Sequence, residues 1–183
     1  MPRRMTLEEI NGLDRDGFVA ALGLLFEGSP WIAAETWPAR PFAGVTDLHE
    51  ALCRTMREAP LERQVALIRA HPDLVGRAAL AGTLSPESTQ EQASAGLDHL
   101  SPDEVATFAR LNAAYRDRFG FPFVICAREN KKESILAGFG ARRGNTRERE
   151  IATALDEIAK IAHFRLLDIV EPDRRGGFET RPR

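Results

Sequence analysis

A chain of 183 residues with 43% hydrophobic and 28% charged side chains can bury one substantial core without a metal or disulfide staple. Its formal charge of −2 gives no electrostatic pull toward nucleic acid or an anionic membrane, and no apolar run approaches the ~20 residues that span a bilayer. Cys53 and Cys126 fit no zinc or redox spacing, MPRRMTLEEI lacks the apolar centre of a secretory signal, and RPR is no common targeting tripeptide, so a reducing cytoplasm is the expected location.

In chain order, the sequence reads as helices separated by marked turns. Thr6 and Glu9 have capping-box spacing, and Asp14 opens the run GFVAALGLLFEG, which Gly28 is placed to close. SPWIAAETW begins with serine and proline at a helix entrance and is broken by WPARPF. Thr46 precedes DLHEALCRTMREA, and Pro60 starts LERQVALIRA, where Leu61, Val65 and Ile68 share a face. Ser101, Pro102 and Glu104 mark the entrance of a helix along which Val105, Phe108, Asn112, Tyr115 and Phe119 keep helical spacing up to Gly120. FPFVICA is short, has no strand partner and contains Pro122, so it is expected as an isolated extended segment. NKKESILAGFGARRG resumes helical character, and the longest helix is expected from Thr146 to Val170, followed by the frayed tail EPDRRGGFETRPR. The expected fold is all-α: one compact multi-helix domain over 1–170, with an extended segment near 121–127 and a flexible tail over 171–183.

Three places break the pattern of a plain helical domain. In RAHPDLVGR, Pro72 disfavours helical geometry at His71, so the imidazole stands where the chain changes direction. It is either a protonated group beside the last helical carbonyls or a general acid or base. In SPESTQEQ, Ser88 and Glu91 have capping-box spacing, which explains both without chemistry, although a helix entrance with Glu91 and Gln92 also suits an anionic or carbonyl-rich heterocycle. In the last helix Ile151, Leu155, Ile158, Ala162, Arg165 and Ile169 form one stripe, apolar except for Arg165. A guanidinium there needs an anion, which is either a structural carboxylate or a substrate carboxylate, unless it snorkels outward.

Other motifs fail. GFGARRG has the wrong spacing and context for a dinucleotide loop, HEALCR lacks a second zinc histidine, and His49, His71, His99 and His163 show no metal spacing. Arg142, Arg143, Arg147 and Arg149 alternate with Glu148 and Glu150 and read as a solvated helix face.

HPDL, then STQEQ with AGL following, then RFGFPFVI, then IAKIAHFRL occur in that order across residues 6–170. On these motifs the chain resembles the 2-oxo-4-hydroxy-4-carboxy-5-ureidoimidazoline (OHCU) decarboxylase family. The resemblance implies an all-helical, cofactor-free and metal-free carboxy-lyase, usually a homodimer, that makes (S)-allantoin from OHCU in urate degradation. It places the catalytic histidine and glutamate on His71 and Glu91. Substrate contacts fall on Pro72, on the segment Ser88, Thr89, Gln90, Glu91 and Gln92, on Phe123, Val124, Ile125, Cys126 and Ala127, and on Arg165. It also implies coupling to a 5-hydroxyisourate hydrolase on another chain. The alternatives are a non-catalytic ureide-binding or regulatory protein and a cofactor-free lyase for a related imidazoline.

Overall fold

In the computed structural model, which describes residues 3–172, the chain forms ten α-helices and three 3-10 turns and no β-sheet among those residues. The expected 171–183 tail lies, from residue 173 onward, outside the described residues. Among the described residues no helix is long and apolar enough to cross a membrane.

Most helix entrances follow the local signals. Thr6 and Glu9 exchange both capping-box hydrogen bonds, at 3.2 and 2.8 Å, to open α1 (Leu7–Gly12). Asp14 caps α2 (Arg15–Leu22) by accepting the Gly17 N–H at 2.7 Å. α2 does not run on to Gly28: a 3-10 turn, Gly23–Leu25, intervenes, and Gly28 turns the loop beyond it with φ +57°. α3 (Trp31–Thr36) leads through the 3-10 turn Trp37–Ala39 to α4 (Val45–Glu58). Thr46 lies inside the first turn of α4; Gly44 is the N-cap, and the Asp47 carboxylate accepts the Ala43 N–H at 2.9 Å.

α5 (Leu61–Ala70), the single turn α6 (Arg77–Leu80) and α7 (Pro86–Ser94) follow. α8 (Pro102–Phe119) opens on the Ser101–Glu104 capping box and stops at Gly120, which takes the left-handed conformation at φ +79°. The chain then runs extended to the 3-10 turn Ala127–Glu129, α9 (Lys132–Arg142) and α10 (Arg147–Ile169), capped by Thr146. A single parallel bridge joins the ends of the described chain, with Met5 N–H donating to the Ile169 carbonyl and Glu171 N–H to the Met5 carbonyl, both at 2.8 Å.

α10 is the spine. It packs on α4 and α5, and in turn α3 lies against α2 and α4. Phe18, Leu22, Ile32, Leu48, Leu52, Met56, Ile68 and Ile158 are buried among these helices. A second centre gathers Tyr115 from α8, Phe139 from α9, and Phe119, Phe121 and Phe123. Phe123 stacks on Phe139 with centroids 3.9 Å apart, and a Cβ on Gly138 would stand 3.3 Å from the Phe123 ring, a tight approach that the ring would have to yield to by a few tenths of an ångström.

Arg142 is not part of a solvated face. It is buried, lies 4.3 Å over the Phe123 ring, donates from Nε to Glu150 at 2.9 Å and from Nη1 to the Val124 carbonyl at 2.6 Å. Glu150 is fully buried and also accepts from the Tyr115 hydroxyl and from Asn145. Arg143, Arg147 and Arg149 are exposed, as expected. Removing the cation leaves Glu150 as an uncompensated buried charge, so Arg142→Met is expected to lower the unfolding free energy by about 3–5 kcal/mol in urea titrations. A loss below about 1 kcal/mol, the range of an exposed pair, would show that Glu150 finds compensation elsewhere.

Candidate active site

α5 ends where the sequence requires. His71 is its C-cap, with φ −71° and ψ 137°, the extended geometry that a following proline imposes. The ring is buried, and Nδ1 lies 2.9 Å from the Leu67 carbonyl. A carbonyl only accepts, so Nδ1 carries the hydrogen and the neutral ring presents an Nε2 lone pair. Nε2 makes no hydrogen bond within the described chain, and His71 lines a cleft. Burial pushes its pKa down to about 4, against smaller upward effects of the Leu67 carbonyl and the Glu27 carboxylate. The ring is therefore neutral at pH 7, and the alternative of a protonated imidazole at the helix end falls away.

The loop after His71 is held by side chains from two helices. Val75 sits at φ +52°, a strained position for a β-branched residue. Gln92 from α7 accepts the Val75 N–H at 3.0 Å, Asn112 from α8 donates to the Leu74 carbonyl at 2.8 Å, and Arg116 binds Asp73 at 2.9 Å. Gln92 therefore lines the cleft with its amide oxygen already engaged in fixing this loop.

α7 is capped by Ser85, whose hydroxyl accepts the Ser88 N–H at 3.1 Å, and Pro86 occupies its first turn. Ser88 and Glu91 are thus interior residues of the helix, not its capping box. Ser88, Glu91 and Gln92, at i, i+3 and i+4, face inward and line the cleft, whereas Thr89 and Gln90 point to solvent because the helix turns them away.

From α10, Arg165 reaches into the same cleft with its side chain only 5% exposed. Nε and Nη2 pair with the two Glu91 oxygens at 2.8 and 2.9 Å. Nη2 also reaches Glu27 at 3.2 Å, and Nη1 approaches the Leu24 carbonyl at 3.4 Å. Burial opposes the charge, but the bonds to Glu91 and Glu27 outweigh it and raise the guanidinium pKa. Arg165 has carboxylate partners within the chain, Glu91 and Glu27, which engage most of its donors. Arg128, paired with Asp168, lies 4.0 Å from Glu91.

The extended segment forms the facing wall. Phe123, Val124, Ile125 and Ala127 line the cleft with Pro72; Cys126 does not, because its N–H donates to Glu157 at 2.8 Å and its carbonyl accepts from Asn130 at 2.9 Å. The amides of Phe123, Val124 and Ile125 make no hydrogen bond within the described chain. Leu74 and Ile161 complete the lining, and Glu27 bridges Ser88 and Arg165. No local pattern marked these three residues. Among the described residues no group of three or more His, Cys, Asp or Glu is placed to hold a metal ion.

A family model described as OHCU decarboxylase matches residues 11–167. A relative from Haloferax volcanii named 2-oxo-4-hydroxy-4-carboxy-5-ureidoimidazoline decarboxylase is 43% identical over 164 residues, 90% of this chain and 95% of its own. The Bacillus subtilis uric acid degradation bifunctional protein PucL is 39% identical over 165 residues, 90% of this chain and 33% of its own. A crystal structure of (S)-allantoin synthase superposes with TM-score 0.71 at 26% identity, covering 91% of this chain and 54% of that one. A crystal structure of OHCU decarboxylase in the presence of (S)-allantoin shares the fold, with TM-score 0.65 at 18% identity over 85% of this chain and 97% of that one.

The buried neutral imidazole couples stability to pH. His71 titrates near 4 when folded and near its ordinary value of about 6.5 when unfolded, so the unfolded chain binds the extra proton between those values. Its contribution is fully present above about pH 6.5 and is lost as pH falls through about 4, a loss on the order of 3 kcal/mol. Urea unfolding between pH 4 and 7.5 is expected to show a shallower pH dependence for His71→Asn than for wild type. Parallel curves would refute the buried neutral ring.

Proposed function

This chain belongs to the OHCU decarboxylase family, and on that premise we propose that it is a carboxy-lyase converting OHCU to (S)-allantoin without a cofactor. What carries this reading is one juxtaposition: an imidazole with a free Nε2 lone pair shares a narrow cleft with a glutamate held by a buried arginine.

Decarboxylation needs a sink for the electron pair left on carbon, a task often given to pyridoxal phosphate or thiamine diphosphate. OHCU carries its own sink, a ring carbon–nitrogen double bond beside the carboxylated carbon. As carbon dioxide leaves, the C4–carboxylate pair forms a C4–C5 double bond and the former C=N pair moves to nitrogen, giving an enol. The C4 hydroxyl then loses its proton, the ring nitrogen takes one from solvent, C5 gains one on a single face, and the product is the neutral ketone with a defined stereocentre.

His71 is the base for the hydroxyl proton and, once protonated, a donor toward C5. Glu91 keeps lone pairs beyond those used by Arg165 and accepts ureido N–H groups. Arg165 orients Glu91, while the free amides of Phe123 and Ile125 donate to ring and ureido carbonyls and Ser88 contacts an amide-like edge. In this reading the substrate comes from a hydrolase acting on 5-hydroxyisourate; the bifunctional uric acid degradation relative supports a place in urate degradation. A cytoplasmic homodimer completes the proposal.

OHCU generated in situ from urate by the two upstream enzymes should be converted rapidly to dextrorotatory allantoin by the purified chain, followed by optical rotation. His71→Asn is expected to lower kcat by roughly 10²–10⁴-fold, the usual worth of a positioned acid or base. Decay at the spontaneous rate with wild-type protein, giving racemate, would leave a ureide-binding protein instead. Arg165→Lys cannot hold both Glu91 oxygens and is expected to depress kcat; unchanged kinetics would remove Arg165 and Glu91 from the mechanism.

A further inference from the structure

Glu27 lies in the loop beyond the first 3-10 turn, far in sequence from the other residues of the cleft. Its Oε1 accepts the Ser88 hydroxyl at 3.0 Å and Arg165 Nη2 at 3.2 Å. We propose that Glu27 is a positioning residue: by committing the Ser88 hydrogen to its own carboxylate, it makes the serine oxygen an acceptor for an N–H of the bound ureide. This rests on the ureide-lyase reading and adds the polarity of the edge that Ser88 reads.

A hydroxyl has one hydrogen and two lone pairs, and a charge-assisted bond to a carboxylate is the stronger use of that hydrogen. Ser88 is buried, so the oxygen facing the cleft has only lone pairs left to offer. His71 presents the same polarity, its Nδ1 hydrogen being given to Leu67. On the opposite wall the amides of Phe123 and Ile125 are unpaired, while Val124, whose carbonyl accepts from Arg142, alternates to the other side. The cleft thus sets the acceptors of Ser88 and His71 against an extended backbone edge with both free amides and free carbonyls, the complement of a ureide with N–H groups on one edge and mixed N–H and carbonyl groups on the other.

Glu27 also carries charge. The ionised groups around His71 are Glu27 from the loop, Glu91 from α7 and Arg165 from α10, with Arg128 beyond Glu91. Removing the Glu27 carboxylate leaves Arg165 with a single anionic partner and makes protonation of His71 harder.

The experiment begins with wild-type turnover of OHCU; an inactive wild type overturns the lyase reading itself and the proposal with it. On an active wild type, Glu27→Gln and Ser88→Ala are each expected to raise KM up to about tenfold, the worth of one buried neutral hydrogen bond. The double variant should be little worse than the worse single one, because both substitutions disable the same contact. In NMR titrations, with the His71 ring signal identified by its loss in His71→Asn, Glu27→Gln should shift the midpoint to lower pH. Glu27→Asp should hold that midpoint near wild type while still raising KM, since it keeps the charge and loses the reach. Additive losses in the double variant, or an unmoved midpoint in folded Glu27→Gln, overturn the positioning role. If Glu27→Gln does not fold, the cycle of Glu27→Asp with Ser88→Ala decides by the same additivity criterion.

Discussion

The geometry of the cleft hangs on the pairing of Arg165 with Glu91. The two residues lie 74 positions apart, and both are buried, the guanidinium on α10 and the carboxylate on α7. Either charge alone would cost several kcal/mol to desolvate, so α7 and α10 can close on this interface only as partners, with both oxygens of one filled by two donors of the other. Once they do, the inner face of α7 has a fixed rotation. Ser88 and Gln92 follow Glu91 inward, and Gln92 in turn grips the strained Val75 and sets the loop that begins at His71. One ion pair therefore determines where three other cleft residues stand, which is a better use of a buried salt bridge than stability alone.

Much of this was legible in the sequence, and for a physical reason. Helix boundaries are written in local chemistry, so Thr6, Asp14, Ser101 and Thr146 announced the helices they cap. A lone arginine in an apolar stripe is an energetic anomaly visible from spacing, and Arg165 has the anionic partners that such an anomaly demands. The errors arose where two local signals competed. Ser85 and Ser88 both resemble caps; the glutamate three residues after Ser88 favoured the wrong one, although proline directly after Ser85 is the better mark of a helix start. Arg142 was read by its charged neighbours when its environment is set by Phe123 and Glu150, which come from other parts of the chain.

Glu27 shows where local reading ends. It lies in an irregular loop with no periodicity to break, and its partners are 61 and 138 positions away. Nothing short of the folded chain brings it to Ser88 and Arg165. The same holds for the direction of the Gln92 amide, which composition marks as a hydrogen-bonding group and only packing assigns to Val75.

The charge arrangement also bears on the proposed cofactor-free reaction. A guanidinium that gripped the departing carboxylate would stabilise the charged ground state more than a transition state whose charge is moving into the ring, and would slow the step. Here the protein supplies that guanidinium with two carboxylates of its own, so its grip is spent on Glu91 and Glu27. His71 meets the complementary requirement. Held neutral by burial, with a pKa near 4, it is a poor base in the free cleft. In the proposed reaction an anionic substrate beside Nε2 supplies the opposite charge that raises its basicity; carbon dioxide leaves as a neutral molecule, so that charge stays on the ring until its nitrogen is protonated. The imidazole is then basic when the hydroxyl proton must be removed and acidic when the carbon must receive one. Burial, which looks like a handicap for a base, is what lets the substrate's own charge time the proton transfer.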